Sequence, residues 1–157
     1  MRNLKMILEF DGSRYKGWQK QPNNDLTVEG KIESALSKMV GETIEVTGCE
    51  RTDIGVHAEN YVANFHTDCD LSIEAIMDYL NGDLPDDIVV KSMESASEKF
   101  NSGYNIKSIT YVYKISNSEL RNVFNRKYVY NSEMLLNLEE MKNTAEYLVG
   151  THDFQYL

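Results

Sequence analysis

Hydrophobic residues follow two different spacings along the chain, and each spacing predicts its own kind of element. Between residues 4 and 10 they partly alternate with polar residues, as in a strand with one buried face, and the turn-forming sequence Asp11-Gly12-Ser13 follows. From Val28 they recur at helical spacing, with Thr27 as the predicted N-cap and Gly41 as the stop. Strands are predicted at residues 4–10, 43–47, 60–66, 88–93, 108–116 and 123–130, the last with its apolar run broken by Arg126 and Lys127. Helices are predicted at residues 28–40, 73–80 and 138–149.

The order of these elements predicts the fold class. Helices interspersed with strands that can pair antiparallel favour an α+β domain, with an antiparallel-type sheet and helices packed on one face. Ser72 is predicted to cap the second helix, which closes at Asn81-Gly82, and Asn137-x-x-Glu140 opens the third. No internal repeat, low-complexity tract or linker is visible, so residues 1–157 are predicted to form a single domain.

The composition is that of a globular protein. Of the 157 residues, 41% are hydrophobic and 26% are charged. No apolar run approaches the roughly 20 residues that span a bilayer, and the N-terminus lacks the apolar core of a signal peptide. Cys49 and Cys69 are isolated and have no metal-binding or redox spacing, which favours buried thiols in a reducing compartment. These features predict a cytoplasmic protein with no membrane partner.

The charge balance bears on nucleic-acid binding. A net charge of −9 argues against indiscriminate binding, because phosphate affinity comes largely from Lys and Arg. A local basic patch can still lie on an acidic body. Arg14, Lys16 and Lys20 are clustered with Tyr15 and Trp18, and such a cluster fits either a solvated loop or a surface that contacts phosphates. The residues alone leave both interpretations open.

The polar segment 49–58 separates two apolar, strand-like runs and carries the clearest candidate chemistry. Asp53 lies two residues from Arg51, and Gly55 permits a tight backbone path. An arginine beside a carboxylate favours the anion, and an ionised, positioned aspartate can act as a nucleophile or a base. A D-x-G turn alone is usually structural. His57 follows closely, but the chain has 3 histidines and none has ligand spacing, so no metal site is predicted.

Further segments stand in a fixed order around the string Arg51-Thr52-Asp53-Ile54-Gly55-Val56-His57. They are Phe10 to Gln21, Thr27-Val28-Glu29-Gly30, Asn81 to Ile88, Thr110-Tyr111-Val112-Tyr113 and Gly150-Thr151-His152-Asp153-Phe154. Together with the string, they resemble the tRNA pseudouridine synthase A family over nearly the whole chain. The resemblance implies a ferredoxin-like (RRM-like) pseudouridine synthase half, equivalent to the N-terminal catalytic domain of that family.

The resemblance also implies an activity and a set of site residues. It implies isomerisation of uridine to pseudouridine in the anticodon stem-loop of tRNA, with no cofactor and no metal. Asp53 would be the essential catalytic residue, Arg51 would hold Asp53 and fill the space left by the flipped base, and Tyr111 would stack on the uracil. The expected partners are tRNA and a second copy of the protein in a homodimer. The residues assigned to RNA binding are Arg14, Lys16, Trp18, Lys20 and His57.

Three departures from the family pattern bear on activity. The family has Phe-His-Ala-Arg where this chain has Phe100-Asn101-Ser102-Gly103, so a histidine and an RNA-facing arginine are missing there. Glu29 stands where glutamine is usual, and Glu50 adds a negative charge close to Asp53. Family members also continue into a second domain after the Gly-x-His-Asp-Phe element. With that C-terminal domain absent, residues 1–157 alone are expected to have weak or no activity.

An alternative function is a non-catalytic RNA-binding or assembly module that keeps the fold. The acidic net charge and the missing arginine favour this alternative. The presence of Arg51, Asp53 and Tyr111 together argues against it, because a binding module has little need for all three.

Overall fold

The computed structural model describes residues 1–155. The chain divides into two compact units, Met1–Ile109 and Thr110–Leu157. The first unit contains a four-stranded antiparallel sheet with the strand order β2-β3-β1-β4, and its βαββαβ succession is the ferredoxin-like one. The predicted α+β class is confirmed. The elements of this unit are β1 (Arg2–Phe10), a 3-10 turn (Gly12–Arg14), α1 (Val28–Val40), β2 (Val46–Gly48), β3 (Ala58–Thr67), α2 (Ile73–Asp83) and β4 (Ile88–Ala96).

The core of the first unit lies between one face of the sheet and the two helices. Every second residue of β1 points into it, and α1 and α2 contact each other above that face. Because the apolar side chains of both helices and of the central strand join one cluster, the helices are packed on one face, as predicted. Fully buried members of the cluster are Leu4, Met6, Leu8, Val28, Ile32, Leu36, Ala63, Ile76 and Leu80.

The opposite face of the sheet is closed at one end by a segment that follows β4. The side-chain amide of Asn3 donates to the C=O groups of Ser97 and Phe100, at 2.9 and 2.8 Å. Asn64 donates to Asn3 Oδ1 at 3.0 Å and accepts from the N–H and the hydroxyl of Ser102, at 2.8 and 2.9 Å. These buried polar side chains are therefore satisfied by one another and by the backbone.

Several element bounds in the first unit differ from the prediction, and the differences at the second strand and the second helix are the most informative. The second strand, predicted at residues 43–47, is observed at Val46–Gly48. The second helix continues past Asn81-Gly82, because the Asn81 side chain turns to the edge strand and pairs with the N–H and C=O of Val90, at 2.8 and 3.1 Å. The helix ends at Asp83, because the next residue, Leu84, precedes a proline and this position disfavours the helical conformation.

The second unit has much less regular structure than the sequence predicted. The strands predicted at 108–116 and 123–130 are reduced to β5 (Ile115–Ser116) and β6 (Tyr130–Asn131), which pair in parallel. A strand needs a neighbour for its backbone groups, and the described residues offer one only over this short stretch. The helix α3 (Leu138–Glu146) ends earlier than predicted, while its predicted N-cap, Asn137, accepts the N–H groups of Glu139 and Glu140. No described residue of this unit is buried.

Among residues 1–155, no helix has the length and apolar character required to cross a membrane.

We predict that Asn64→Ala lowers the free energy of unfolding of the first unit by about 2–4 kcal/mol, because it leaves buried donors and acceptors without partners. Urea unfolding followed by the fluorescence of Trp18, the single tryptophan, measures this unit. Asn60→Ala is the control, since Asn60 is exposed on the same strand and accepts from Lys91 at 3.0 Å. Equal losses for the two variants would contradict the role assigned to the buried network.

Candidate active site

The candidate site is built where two connections of the first unit meet. The motif segment, residues 49–57, joins β2 to β3, and the opening loop, residues 11–27, joins β1 to α1. The N–H of Trp18 donates to the C=O of Thr52 at 3.1 Å. This backbone contact fixes the residue immediately before the candidate catalytic aspartate and leaves the side chains on either side of it unengaged.

Further contacts fix the C-terminal half of the motif segment. The N–H of Gly55 donates to the C=O of Tyr15 at 3.3 Å. The His57 Nδ1 lies 3.1 Å from the N–H of Gly12 and 2.9 Å from Asp11 Oδ1. A neutral Nδ1 accepts from Gly12, and a protonated one donates to Asp11, so either form ties His57 to the opening loop. The histidine assigned to RNA binding thus has an internal structural contact.

Two glycines of the opening loop make this docking possible. A Cβ atom on Gly12 would lie 2.0 Å from the C=O oxygen of Val56, and one on Gly17 would lie 2.5 Å from that of Thr52. Gly17 also has φ +92°, a conformation that L side chains rarely adopt. The close approach of the two loops therefore requires glycine at both positions.

Asp53 lies on a tight turn at the tip of the motif segment. The N–H of Val56 donates to the C=O of Asp53 at 3.2 Å, and Gly55 has φ 80°, as the third residue of a type II turn requires. The Asp53 side chain is exposed and forms no hydrogen bond or ion pair with the described residues. The turn thus presents a carboxylate on a fixed backbone, with its oxygens available to a ligand.

Arg51 does not pair with Asp53 in this structure, although the sequence predicted that it would hold the aspartate. Its side chain is exposed and forms no ion pair with any described residue. An exposed guanidinium gains little from a surface pair, so hydration satisfies it. The Glu50 carboxylate accepts the N–H of Arg51 at 3.0 Å. Glu50, the acid that the sequence places close to Asp53, is thus hydrogen-bonded to the local backbone.

Arg14 is anchored by an acid on the connection between α2 and β4. Its Nε lies 2.5 Å from Asp87 Oδ2, and the hydroxyl of Tyr15 donates to Asp87 Oδ1 at 2.5 Å. Burial alone would raise the pKa of Asp87, but the hydrogen bonds from Arg14 and Tyr15 bring it below its usual value. Burial, together with the bond to Asp87, raises the pKa of Tyr15 to about 12. Arg14 is therefore partly neutralised at the surface.

The other two cations assigned to RNA binding differ in their surroundings. The Lys20 ammonium pairs with Glu33 Oε2 at 2.7 Å, and the hydrogen bond to this acid raises the pKa of Lys20. The second oxygen of Glu33 accepts the N–H of Val46 at 3.0 Å, so this buried acid joins α1 to β2. Lys16 is exposed and has no ion pair within the described chain. Its charge is available to a ligand.

Trp18 belongs to the core, which corrects the expectation that its ring contacts RNA. The side chain is 2% exposed, and its ring centroid lies 4.2 Å from that of Tyr61. Its Nε1–H donates to Glu29 Oε1 at 3.0 Å, while Glu29 Oε2 accepts the N–H of Lys20 at 2.7 Å. Burial raises the pKa of Glu29. A carboxylate suits this position because each oxygen accepts one N–H group, whereas a glutamine offers a single acceptor oxygen.

Tyr111, the third predicted catalytic residue, lies in the second unit. Its side chain is 78% exposed and belongs to no strand. The ring is therefore accessible, but the aromatic strand on which the sequence placed it is not formed.

The sequence did not identify Tyr61 or Asp87 as part of the site. The Tyr61 hydroxyl donates to the C=O of Glu50, at the start of the motif segment. The alternation of β3 places Tyr61 on the core side, and a buried tyrosine hydroxyl needs a hydrogen-bond partner. The sequence pattern therefore contained a sign that Tyr61 has an internal contact. Asp87 carries no comparable signal, since an acid after a proline is typical of an ordinary turn.

Comparison with known proteins places this geometry in a family. A family model described as tRNA pseudouridine synthase matches residues 6–105, which include the motif segment and exclude Tyr111. The tRNA pseudouridine synthase A 1 of Clostridium tetani is 61% identical over 155 residues, covering 99% of this chain and 63% of that protein. A tRNA pseudouridine synthase A 2 of Bacillus cereus is 49% identical over 154 residues, covering 98% and 63%.

The tRNA pseudouridine synthase A of Aquifex aeolicus is 44% identical over 157 residues, covering 100% of this chain and 65% of that protein. The chain spans about 63% of the length of the curated relatives that it matches first. The chain belongs to the tRNA pseudouridine synthase family.

We predict that Gly17→Ala destabilises the first unit by about 1–3 kcal/mol, because the new Cβ strains the backbone and displaces Thr52. Gly82→Ala is the matched control: Gly82 is helical, a Cβ there meets nothing within 4 Å, and the change is expected to be neutral or to stabilise by up to about 1 kcal/mol. Urea unfolding followed by Trp18 fluorescence measures both. Similar effects of the two substitutions would show that the loop contact does not constrain the fold.

Proposed function

We propose that this chain is the part of a tRNA pseudouridine synthase that carries the catalytic residue, Asp53. The observation that supports this most directly is the exposed, unpartnered Asp53 carboxylate on a turn whose backbone is fixed from both sides. A structural aspartate at a turn would normally engage its own backbone or a neighbouring cation. Asp53 does neither, in a chain that belongs to the pseudouridine synthase family.

The proposed reaction is an isomerisation that needs one positioned carboxylate and no external reactant. The bond from ribose C1′ to uracil N1 breaks, the uracil turns, and a bond forms from C1′ to C5. N1 gains a proton and C5 loses one, so atoms and electrons balance. Asp53 acts either as a nucleophile, towards the ribose or the base, or as a base that removes a proton from the sugar.

The proposed substrate is a uridine in the anticodon stem-loop of tRNA. A base inside a stem must leave the stack before it reacts, at a cost of about a few kcal/mol. We propose that Arg51 fills the vacated space, that Tyr111 stacks on the extruded uracil, and that Lys16 contacts phosphates. Arg51 and Lys16 suit this role because neither has an ion pair among the described residues. A cytoplasmic homodimer is the proposed working form.

We predict that Asp53→Asn lowers the isomerisation rate about 10²–10⁴-fold or more, because the amide can neither act as a nucleophile nor accept a proton at neutral pH. Tritium release from tRNA labelled at uridine C5, catalysed by the full-length gene product, measures the rate. Asp25→Asn is the matched control, since Asp25 is an exposed aspartate of the opening loop with no assigned role. It is expected to keep wild-type activity.

Retained activity in the Asp53→Asn variant would exclude Asp53 as the catalytic group. Equal losses in the two variants would attribute the effect to surface charge rather than to position 53.

The second candidate function is a non-catalytic RNA-binding or assembly module. The pairing of Arg14 with Asp87 and of Lys20 with Glu33, on a chain with a net charge of −9, favours it over an RNA enzyme with a strongly basic surface. Binding of tRNA by the wild-type protein in an electrophoretic assay, without any tritium release, would establish this second function and exclude the first.

We also expect residues 1–157 on their own to isomerise uridine weakly or not at all. The second unit exposes large apolar side chains, among them Tyr111, Phe124 and Tyr147, and no described residue of it is buried. An active site usually needs a water-excluding enclosure around the reacting base. Tritium release by this chain, compared with that by the full-length Clostridium tetani relative, tests the expectation; comparable rates would contradict it.

A further inference from the structure

Two groups of β3 fix the start of the motif segment: the C=O of Val62 accepts the N–H of Cys49 at 2.9 Å, and the Tyr61 side chain holds the next residue, Glu50. The Tyr61 hydroxyl donates to the C=O of Glu50 and lies 3.4 Å from the N–H of the same residue. One hydroxyl thus contacts both backbone groups of the residue immediately before Arg51. No motif described above for the family includes Tyr61, and the proposed chemistry does not use it.

The Tyr61 ring has little freedom to move. It is 4% exposed, its centroid lies 4.2 Å from that of Trp18 and 5.5 Å from that of Phe10, and a Cβ on Gly48 would lie 2.2 Å from its hydroxyl oxygen. The aromatic cluster and the bare glycine backbone therefore define where the hydroxyl sits. Burial raises the pKa of Tyr61, so the hydroxyl keeps its proton and remains a donor at neutral pH.

The candidate catalytic side chains depend on this backbone for their placement. Neither Arg51 nor Asp53 forms a hydrogen bond through its side chain or an ion pair with the described residues, so their directions are set by the backbone that carries them. The contact at Thr52 restrains the segment between the two residues, and the contact at Glu50 restrains it before Arg51. Loss of the contact at Glu50 would leave the Cys49 N–H bond to Val62 as the anchor before the turn and would loosen the turn against the opening loop, while the rest of the unit remained packed.

We propose that Tyr61 is a positioning residue for the isomerisation: its hydroxyl, held in the aromatic core, fixes Glu50 and thereby the directions in which Arg51 and Asp53 face the substrate. This inference rests on the proposed function. Tyr61 acts through the backbone and touches neither substrate nor reacting atoms. It therefore affects the chemical step rather than the affinity for tRNA.

The test is Tyr61→Phe in the full-length gene product, because this change removes the hydroxyl and keeps the ring in the aromatic cluster. It is expected to lower kcat about 10- to 100-fold, as a misplaced catalytic group does. KM for tRNA should change less than about threefold, since uniform binding is untouched. Amide hydrogen exchange at Trp18 and Gly55, which bond across the two loops, should become at least about tenfold faster in the variant.

Ser102→Ala is the matched control. The Ser102 hydroxyl is also buried in the first unit, and its single hydrogen is shared between the C=O of Thr47 at 2.5 Å and Asn64 Oδ1 at 2.9 Å, but it does not reach the motif segment. Its removal should cost at least as much stability as Tyr61→Phe. It should leave kcat and both exchange rates within about twofold of the wild-type values.

The outcomes of this test distinguish the positioning role of Tyr61 from a purely structural role and from the proposed function. Unchanged amide exchange in Tyr61→Phe, or faster exchange with an unchanged kcat, would overturn the proposal. Equal losses of kcat in Tyr61→Phe and Ser102→Ala would also overturn it, because they would reflect stability alone. A wild-type protein without isomerase activity would refute the proposed function instead, while the exchange rates would still decide whether Tyr61 holds the motif segment.

Discussion

The contact between the motif segment and the opening loop is the constraint on which the candidate site depends. Backbone groups form most of it, at Trp18 and Gly55, and it requires bare glycine backbone at Gly12 and Gly17. Because backbone hydrogen bonds stabilise the turn, the side chain of Asp53 is not needed for that purpose. A turn fixed in this way can present an unpaired carboxylate without becoming mobile, which is what a preorganised site requires. The ferredoxin-like sheet contributes by bringing the two connections together.

The distribution of charge is compatible with the proposed RNA substrate, although the chain is acidic. The net charge is −9, yet several acids of the first unit are engaged internally, including Glu29 with two N–H groups and Glu33 with Lys20 and a backbone N–H. Lys16 and Arg51 have no ion pair in the described chain. Each is adjacent in sequence to a residue through which the motif segment and the opening loop meet. Favourable charge is thus local to the candidate site, as electrostatic focusing needs.

Much of the first unit could be predicted, because hydrophobic periodicity and the residues at the ends of its elements indicate the type of each element. β1, α1 and β3 combine alternating or helical spacing with turn residues, and their types agree with the structure. Thr27 lies at the predicted N-cap of α1, but its side chain forms no capping hydrogen bond. The strand expected at residues 108–116 fails because strand formation depends on a distant partner, which local sequence does not encode. The expectation that Trp18 contacts RNA is not met by its buried position. A tryptophan that is close to cations in the sequence can lie in a core as readily as on a surface. The pairing of Arg51 with Asp53 and the role of Tyr61 depend on side-chain direction and backbone contacts, and spacing does not determine either.

The proposed role of Asp53 is tested most directly by a crystal structure of the full-length gene product carrying Asp53→Asn, bound to a tRNA anticodon stem-loop that contains uridine. We expect an extruded uridine whose ribose C1′ or uracil ring lies about 3–3.5 Å from the side chain at position 53, with the backbone contacts between the two loops intact. A bound stem-loop whose uridines all remain stacked, with position 53 facing solvent, would contradict it.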